Sequence, residues 1–246
     1  MKYRKSLSGK YETIFKIRFF WSRYPWLFYQ YYSRIVYPTK TLTKETDLLI
    51  EGFGRSGSSF TRDSFYLLNN KKIKIAWNQK SPAAVAEAVK WKKPILILIR
   101  EPKEVALSYI VMNENLSFEL ILEQYIKYYK SIWKYKNNFV IAQNDQVWKN
   151  INNCIHQLNT KFKTKFQFSE DLQGNMDNVK KYEDEKYFKK YSKEWDESVK
   201  RTVNYPTLYK NKKKKLIEKI FDELNCNQLK KDSKDWYDKY IENAQH

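Results

Sequence analysis

A glycine- and serine-rich stretch that follows a short apolar run constrains the fold of this chain more than any other segment. The residues Leu48–Ile50 have the apolar character of a buried strand, and the sequence EGFGRSGSS that follows at 51–59 is typical of a tight turn. We expect a helix to begin at about Ser58. A strand, a glycine-rich turn and a helix in this order predict an anion-binding loop, because backbone N–H groups of the turn and of the helix N-terminus converge on one ligand.

The glycines of this loop suit a phosphate or sulfate site. Gly52, Gly54 and Gly57 have no Cβ, so the backbone can adopt positive φ values and approach an oxyanion closely. The spacing matches the nucleoside triphosphatase motif G-x-x-x-x-G-K-[ST], except that Ser58 stands in place of the Lys and the nearest cation is Arg55. This difference weakens a kinase or ATPase interpretation. A turn that binds no ligand remains an alternative at this point.

Predicted strands and helices alternate after the loop. We predict a strand at 72–77 (KIKIAW), an alanine-rich helix at 83–91 after Pro82, and a strand at 94–99 (PILILI) that is apolar throughout, as in parallel sheets buried on both faces. Such an alternation implies right-handed crossovers and ligand binding at the carboxyl ends of the strands. The sequence therefore predicts an α/β fold with three layers and a central parallel sheet.

The rest of the chain adds predicted helices and a fourth strand. We expect a long helix capped by Ser117, a strand at 139–142, and a helix at 147–158. Beyond residue 168 the chain is polar, with charged helical segments predicted at 182–200 and 212–224. The lysines at 212–215 are expected to form a solvated face.

A second candidate anion site follows the strand at 94–99. Arg100 leaves the end of this strand, Pro102 suits the first turn of a helix, and Ser108 lies about two turns along that helix. An Arg and a Ser presented in this way could hold a phosphate through a charge-assisted hydrogen bond and a hydroxyl group. The alternative is a surface ion pair of Arg100 with Glu101 or Glu104.

The two loops together resemble the motifs of sulfotransferases that use 3′-phosphoadenosine 5′-phosphosulfate (PAPS). GRSGSSF at 54–60 is similar to the family's 5′-phosphosulfate loop, PKSGTTW, and REPKEVALSY at 100–109 is similar to its 3′-phosphate motif, R-x-P-x-x-x-x-x-S. The segment between them, KSPAAVAEAVKWKKPILILIREP, resembles bacterial members of the family. The likeness covers about residues 47–165 and implies the family's fold, which is related to that of nucleotide kinases.

The resemblance also implies roles for individual residues. The 5′-phosphosulfate would be held by the loop residues Arg55, Ser56, Gly57, Ser58, Ser59 and Phe60. Arg100 and Ser108 would hold the 3′-phosphate, and no metal is implied. Many members have a catalytic His where this chain has Lys80, which is protonated at neutral pH unless it is buried or crowded by other cations. We therefore expect Arg55 and Lys80 to be the catalytic cations, and Asp145 or Glu51 remains open as a base.

Composition limits the other possibilities. The formal net charge of +19 favours anionic partners, and the two cysteines and two histidines provide neither a disulfide framework nor an evident zinc site. An apolar run of about 18 residues, which a spanning helix would need, is absent, as is a secretory signal. The expected location is therefore the cytoplasm, with contact at a membrane surface as an alternative.

The N-terminal segment 1–45 is basic and aromatic. It is expected to be a packing arm, with membrane contact through 11–37 as an alternative and no specific nucleic-acid partner. We predict one domain over 1–246, in which 46–165 is the cofactor-binding core and 166–246 is a helical region on the substrate side or at the periphery.

The sequence predicts sulfuryl transfer from PAPS to a hydroxyl or amine of an acceptor, which could be a glycan or a lipid and which the sequence does not identify. The product nucleotide would be adenosine 3′,5′-bisphosphate (PAP). Three alternatives remain: a catalytically impaired homologue that binds PAPS or PAP, a nucleotide or sugar kinase of related fold, and a module that binds nucleic acid or a membrane surface.

Overall fold

A four-stranded parallel sheet lies at the centre of the protein. The computed structural model describes residues 3–24, 27–29, 40–191 and 207–244. The strands are Leu48–Gly52 (β1), Ile75–Trp77 (β2), Ile95–Ile99 (β3) and Val140–Gln143 (β4). They are arranged in the order β2-β1-β3-β4, and every neighbouring pair is parallel. The carboxyl ends of all four strands therefore meet at one edge of the sheet.

The described helices connect these strands and extend the chain beyond them. Their bounds are Tyr3–Trp21 (α1), Ser58–Leu68 (α2), Pro82–Lys90 (α3), Pro102–Met112 (α4), Phe118–Ile132 (α5), Asn144–Lys149 (α6), Ile151–Phe162 (α7), Leu172–Tyr191 (α8), Leu208–Glu223 (α9) and Asn227–Ala244 (α10). A 3₁₀-helix, Trp133–Asn138, follows α5. None of the described helices is long and apolar enough to cross a membrane.

Side chains on opposite faces of the sheet form two separate hydrophobic clusters. In β3, Ile95, Ile97 and Ile99 belong to one cluster, whereas Leu96 and Leu98 belong to the other. The first cluster is covered by residues of α1, α3, α4, α5, α9 and α10, and the second by residues of α2, α6, α7 and α8. The alternation follows from the two-residue period of a strand. These layers confirm the predicted three-layer α/β fold with a central parallel sheet.

Two helices begin with a serine cap, and the cap at Ser117 is the one predicted from the sequence. Ser81 caps α3, where its Oγ accepts a hydrogen bond from the N–H of Ala84 at 3.3 Å, and Pro82 occupies the first turn. Ser117 caps α5 in the same way. Each cap satisfies an N–H group that the helix itself leaves unpaired. As a result, these two helices begin within a residue of the predicted positions.

Other boundaries differ from the predictions. The strand predicted at 72–77 begins only at Ile75, because Asn70 and Lys71 have positive φ values in a turn. The helix predicted at 147–158 is two helices, α6 and α7, separated at Asn150, whose side chain accepts a hydrogen bond from the N–H of Asn152. The predicted helix at 182–200 begins earlier, as α8, and its residues 192–200 lie outside the described residues, as do 30–39 of the N-terminal segment.

Candidate functional site

The glycine-rich loop connects the end of β1 to the start of α2. Arg55 and Gly57 have positive φ values of 71° and 93°, and Gly57 is the N-cap residue of α2. A Cβ at Gly54 would lie 1.8 Å from the Tyr109 hydroxyl oxygen, and one at Gly57 would lie 2.0 Å from Oδ1 of Asn144. These positions therefore need glycine for close packing as well as for backbone conformation. The first N–H groups of α2 have no partner within the helix, and the residues that carry them, Ser58, Ser59 and Phe60, line the adjacent pocket.

A pocket of about 420 Å³ lies against this loop, at the carboxyl edge of the sheet. It brings together eight of the residues singled out in the sequence: Arg55, Gly57, Ser58, Ser59, Phe60, Lys80, Arg100 and Ser108. These residues follow three different strands, so their proximity arises from the parallel arrangement of β1, β2 and β3. The pocket thus joins the two candidate anion sites into one.

Arg55 and Arg100 connect the two sequence motifs directly. Arg55 Nε donates a hydrogen bond to Oγ of Ser108 at 3.0 Å, and Arg100 Nη1 donates one to the backbone carbonyl of Arg55 at 3.2 Å. Arg100 Nη2 also donates to Oε2 of Glu104 at 3.0 Å. The predicted ion pair of Arg100 with Glu104 is therefore present, and it lies within the pocket.

Ser56 is placed differently from the other predicted loop residues. It is buried and does not line the pocket, and its Oγ lies 3.5 Å from the hydroxyl of Tyr129. The Ser56 N–H donates to the carbonyl of Phe53 at 3.3 Å, which tightens the turn. Its geometry supports the shape of the loop, and a direct role in phosphosulfate binding stays a prediction.

Lys80 lines the pocket from the segment that follows β2. It has a positive φ of 53°, and its N–H donates to Oε2 of Glu51 at 2.9 Å. The other Glu51 oxygen accepts the N–H of Gln79 at 2.6 Å. A left-handed non-glycine residue held by a buried carboxylate is a conformation found at functional sites. Glu51 thus fixes the backbone from which Lys80 reaches the pocket.

The surroundings of Lys80 favour its neutral form. Burial and the nearby cations Arg18 and Arg55 lower the pKa of Lys80 well below its usual range, although Glu51 partly opposes this shift. In the sequence, Lys80 is expected to be protonated unless it is buried or crowded by cations, and both conditions are met here. The amine is therefore a candidate proton acceptor as well as a candidate cation.

Neither of the alternative bases considered in the sequence lines the pocket. Glu51 is fully buried beneath the segment 79–80, and burial raises its pKa to about 7 against the opposing hydrogen bond from Gln79. Asp145 is exposed at the start of α6. Glu51 therefore positions the backbone of Lys80, and the side chain of Lys80, rather than that of Glu51, lines the pocket.

Helix α9 contributes two lysines that the sequence did not indicate. Lys210 and Lys214 line the pocket, and Lys214 Nζ is paired with Oε2 of Glu104. The prediction that the lysines at 212–215 form a solvated face is wrong for Lys214, although Lys212 and Lys215 are exposed. Lys210 and Lys214 are four residues apart and therefore lie on one side of α9. The sequence does not show which side of this helix faces the pocket.

The electrostatics of the pocket are strongly cationic. Among its described lining residues, one has a carboxylate, Glu104, and five have cationic groups: Arg55, Lys80, Arg100, Lys210 and Lys214. Burial, then Arg55, lowers the pKa of Lys210 to about 7, and burial together with Arg100 lowers the pKa of Lys214. Cations that depress one another's pKa values form a site that an anion stabilises.

Comparisons with known proteins identify similar solved structures but no sequence family. The crystal structure of mouse sulfotransferase SULT7A1 complexed with PAP aligns with a TM-score of 0.41 and 12% sequence identity, over 80% of this chain and 91% of the other. No family model matches the chain, and no curated protein is significantly similar to it. These comparisons assign no activity to the chain, so a function for this site has to rest on the residues that form it.

The remaining lining residues come from the segments after β2 and β4 and from α4 and α9. Trp148 stacks on Phe60 with ring centroids 3.6 Å apart and an angle of 15° between the rings. The others are Asn78, Met112, Asn144 and Asn211. Asn144 directly follows β4, and ligands bind at the carboxyl edge of a parallel sheet. The predicted strand could therefore have indicated Asn144 as a site residue. The described residues include no cluster of His, Cys, Asp and Glu side chains that could hold a metal ion.

Proposed function

We propose that this protein is a sulfotransferase that moves a sulfuryl group from PAPS to a hydroxyl or amine of an acceptor. The observation that carries the proposal is the hydrogen bond between Arg55 and Ser108, which joins the loop after β1 to the helix after β3 in one cationic pocket. Two anion sites joined in this way suit a nucleotide that carries acidic groups at two positions. A single phosphate would engage only one of them.

The residues present fit such a nucleotide. The close packing at Gly54 and Gly57 fixes the shape of the loop, and Ser58 and Ser59, the first residues of α2, line the pocket with helix N–H groups that have no partner within the helix. Arg55 and the start of α2 would hold the 5′-phosphosulfate. Arg100 and Ser108, whose side chains lie beside Arg55, would hold the 3′-phosphate. Planar guanidinium groups are well matched to such oxyanions.

The aromatic lining of the pocket complements its cations. Phe60 is buried beneath Trp148, and Trp148 is half-buried with its indole in the pocket wall. A flat aromatic surface next to phosphate-binding cations suits the base of a nucleotide, because π-faces stack on one another. We therefore assign the Phe60 and Trp148 end of the pocket to the nucleobase.

Lys80 is the residue that we assign to the transfer step. The acceptor oxygen or nitrogen forms a bond to sulfur, the bond from sulfur to the 5′-phosphate oxygen breaks, and the acceptor loses a proton. Lys80 in its neutral form can accept that proton, and the resulting ammonium stabilises the negative charge that develops on the leaving phosphate. Arg55 contributes a second, permanent positive charge. The acceptor must bind beside the sulfur atom and Lys80, and the residues that hold the rest of it stay unassigned.

The nucleotide assignment is tested by thermal unfolding with PAP, AMP and ATP at equal concentrations. We expect PAP to raise the melting temperature most, because only PAP carries a 3′-phosphate, and we expect Arg100→Ala to abolish its advantage over AMP. Lys212→Ala, which removes an exposed cation from α9, is the matched control and should retain the preference. An equal response to the three nucleotides would contradict the proposal, and stabilisation by ATP alone would favour a kinase.

The transfer step is tested with labelled PAPS and a panel of glycan, lipid and phenolic acceptors. Lys80→Met should still bind PAP but lose transfer by about 100-fold or more, which is the usual contribution of a proton-transfer group. Lys80→His should recover part of the rate and follow the titration of an imidazole. Tight PAP binding by the natural chain without transfer to any acceptor would instead identify a catalytically impaired homologue.

A further inference from the structure

Helix α1 is apolar on two opposite sides. Its inner side packs on the protein, with the ring of Phe15 5.7 Å from that of Tyr109 and the ring of Phe19 6.5 Å from that of Tyr128. Its outer side and the residues just after it carry a second apolar set, which we call the α1 stripe: Ile14, Ile17, Phe20 and Tyr24. A helix at a protein surface normally presents polar side chains outward. The α1 stripe therefore indicates a partner.

The α1 stripe is continuous and strongly exposed. Its side chains are 53%, 51%, 54% and 47% exposed in chain order, and the rings of Phe20 and Tyr24 are 5.2 Å apart. Single exposed apolar residues are ordinary on protein surfaces, but a row on one side of a helix marks an interaction surface. Trp21 lies next to the stripe and is half-buried.

Basic side chains border the α1 stripe. Lys16 on α1 and Arg23 in the turn after it are exposed, and the sequence from 10 to 24 contains four basic residues and one acidic residue, Glu12. We propose that the α1 stripe docks on an anionic lipid bilayer, with its apolar side chains at the boundary between headgroups and acyl chains. The exposed side chains of Lys16 and Arg23 then face the lipid phosphates, and the aromatic rings occupy the interfacial region that they favour.

The same side chains fit other partners less well. Single-stranded nucleic acid binds through cations and stacked aromatic rings, so Ile14 and Ile17 would have no role there. A second copy of the chain would bring together two proteins that each carry a formal charge of +19, and this repulsion opposes association. An anionic bilayer matches both the apolar stripe and its basic border. The inference does not depend on the nucleotide assignment.

Vesicle sedimentation tests this proposal with the full chain. We compare phosphatidylcholine vesicles with vesicles that contain about 30% phosphatidylserine, at low and high salt. The protein should bind only the anionic vesicles, and binding should weaken with salt as the charges are screened. Ile17→Ser/Phe20→Ser should lower the partition coefficient about tenfold or more. Phe168→Ser removes a side chain that is 49% exposed outside α1, and it should have no effect.

Three results would overturn the proposal. The first is a sedimentation assay in which the natural chain does not bind anionic vesicles, or in which the double variant binds them as well as the natural chain does. The second is binding to a single-stranded oligonucleotide without binding to vesicles. The third is a dimer in analytical ultracentrifugation that the double variant converts to a monomer, which would identify the stripe as an interface between copies. An unchanged far-UV circular dichroism spectrum and melting temperature of the double variant show that its fold is intact.

Discussion

Arg55 Nε donates a hydrogen bond to Oγ of Ser108 at 3.0 Å, across the pocket from the loop after β1 to helix α4. If the two residues bind one nucleotide as a unit, their substitutions are not additive. We expect Ser108→Ala and Arg55→Met each to weaken PAP binding by about tenfold or more, the range for a hydrogen bond to a charged group. The double variant should lose less than the sum of the two single free energies, as measured by calorimetry.

The matched control for Ser108→Ala is Ser131→Ala. Ser131 is on α5, outside the pocket, and its Oγ donates to the backbone carbonyl of Lys127. This change should leave PAP affinity unaltered. Strict additivity of the Arg55 and Ser108 variants would show that the bond in the free protein does not persist in the complex.

Glu104 occupies the position between Arg100 and Lys214 at which an anionic ligand would bind. Burial opposes ionisation of Glu104, but the hydrogen bond and charge of Lys214 outweigh it and lower the pKa of the carboxyl group. A phosphate must therefore compete with this carboxylate. We expect Glu104→Gln to tighten PAP binding several-fold in calorimetric titrations. Glu114→Gln, which affects the contact with Lys213 outside the pocket, is the control. Weaker binding by Glu104→Gln would mean that Glu104 chiefly orients Arg100.

The lowered pKa of Lys210 leads us to expect that stability rises with pH while the affinity for an anionic ligand falls. Its folded-state pKa, about 7, lies below the value of about 10.4 of an unfolded lysine, so the unfolded chain holds the proton between these pH values. The destabilisation caused by Lys210 is complete below pH 7 and declines as the pH rises toward 10. We therefore expect Lys210→Met to raise the melting temperature of the free protein more at pH 6.5 than at pH 9.

An anionic ligand favours the protonated form of Lys210, so PAP affinity should fall as the pH rises above 7. The slope is at most about one logarithmic unit per pH unit for each proton taken up. Lys210→Met should reduce this slope in calorimetric titrations, whereas Lys215→Met, on the exposed side of α9, should not. A slope that Lys210→Met leaves unchanged would place the coupled proton elsewhere, with Lys80 the first candidate.

Gly54 is packed too tightly for any side chain. A Cβ there would lie 1.8 Å from the hydroxyl of Tyr109, which is buried, and 3.0 Å from Cε of Lys80. We expect Gly54→Ala to lower the free energy of unfolding by about 1–3 kcal/mol, as measured by urea denaturation. Gly9→Ala is the control, and we expect it to change the free energy of unfolding in the opposite direction, because a Cβ on this exposed helical residue meets no atom within 4 Å. It should stabilise the protein by up to about 1 kcal/mol. Equal stability of Gly54→Ala and the natural chain would show that Tyr109 can move aside.

The elements that the sequence predicted best are those specified by neighbouring residues. The strand at Ile95–Ile99 is a continuous apolar run, and α3 and α5 begin at the Ser81 and Ser117 caps. The split between α6 and α7 was missed, because the side chain of Asn150 caps a new helix within a stretch of uniform helical pattern. Local signals therefore located the elements more reliably than their ends.

The sequence by itself determined the parallel α/β core, the glycine-rich loop after β1 and the position of Arg100 after β3, because strand periodicity, glycine positions and caps act over a few residues. Lys80, after β2, was indicated by the family resemblance. Only the tertiary structure decided that Ser56 is buried against Tyr129 and that Glu104, Lys210 and Lys214 enter the pocket. Lys210 and Lys214 come from about 100 residues beyond the motifs. Their positions depend on how α9 packs, and many small long-range contacts specify that packing rather than any local pattern.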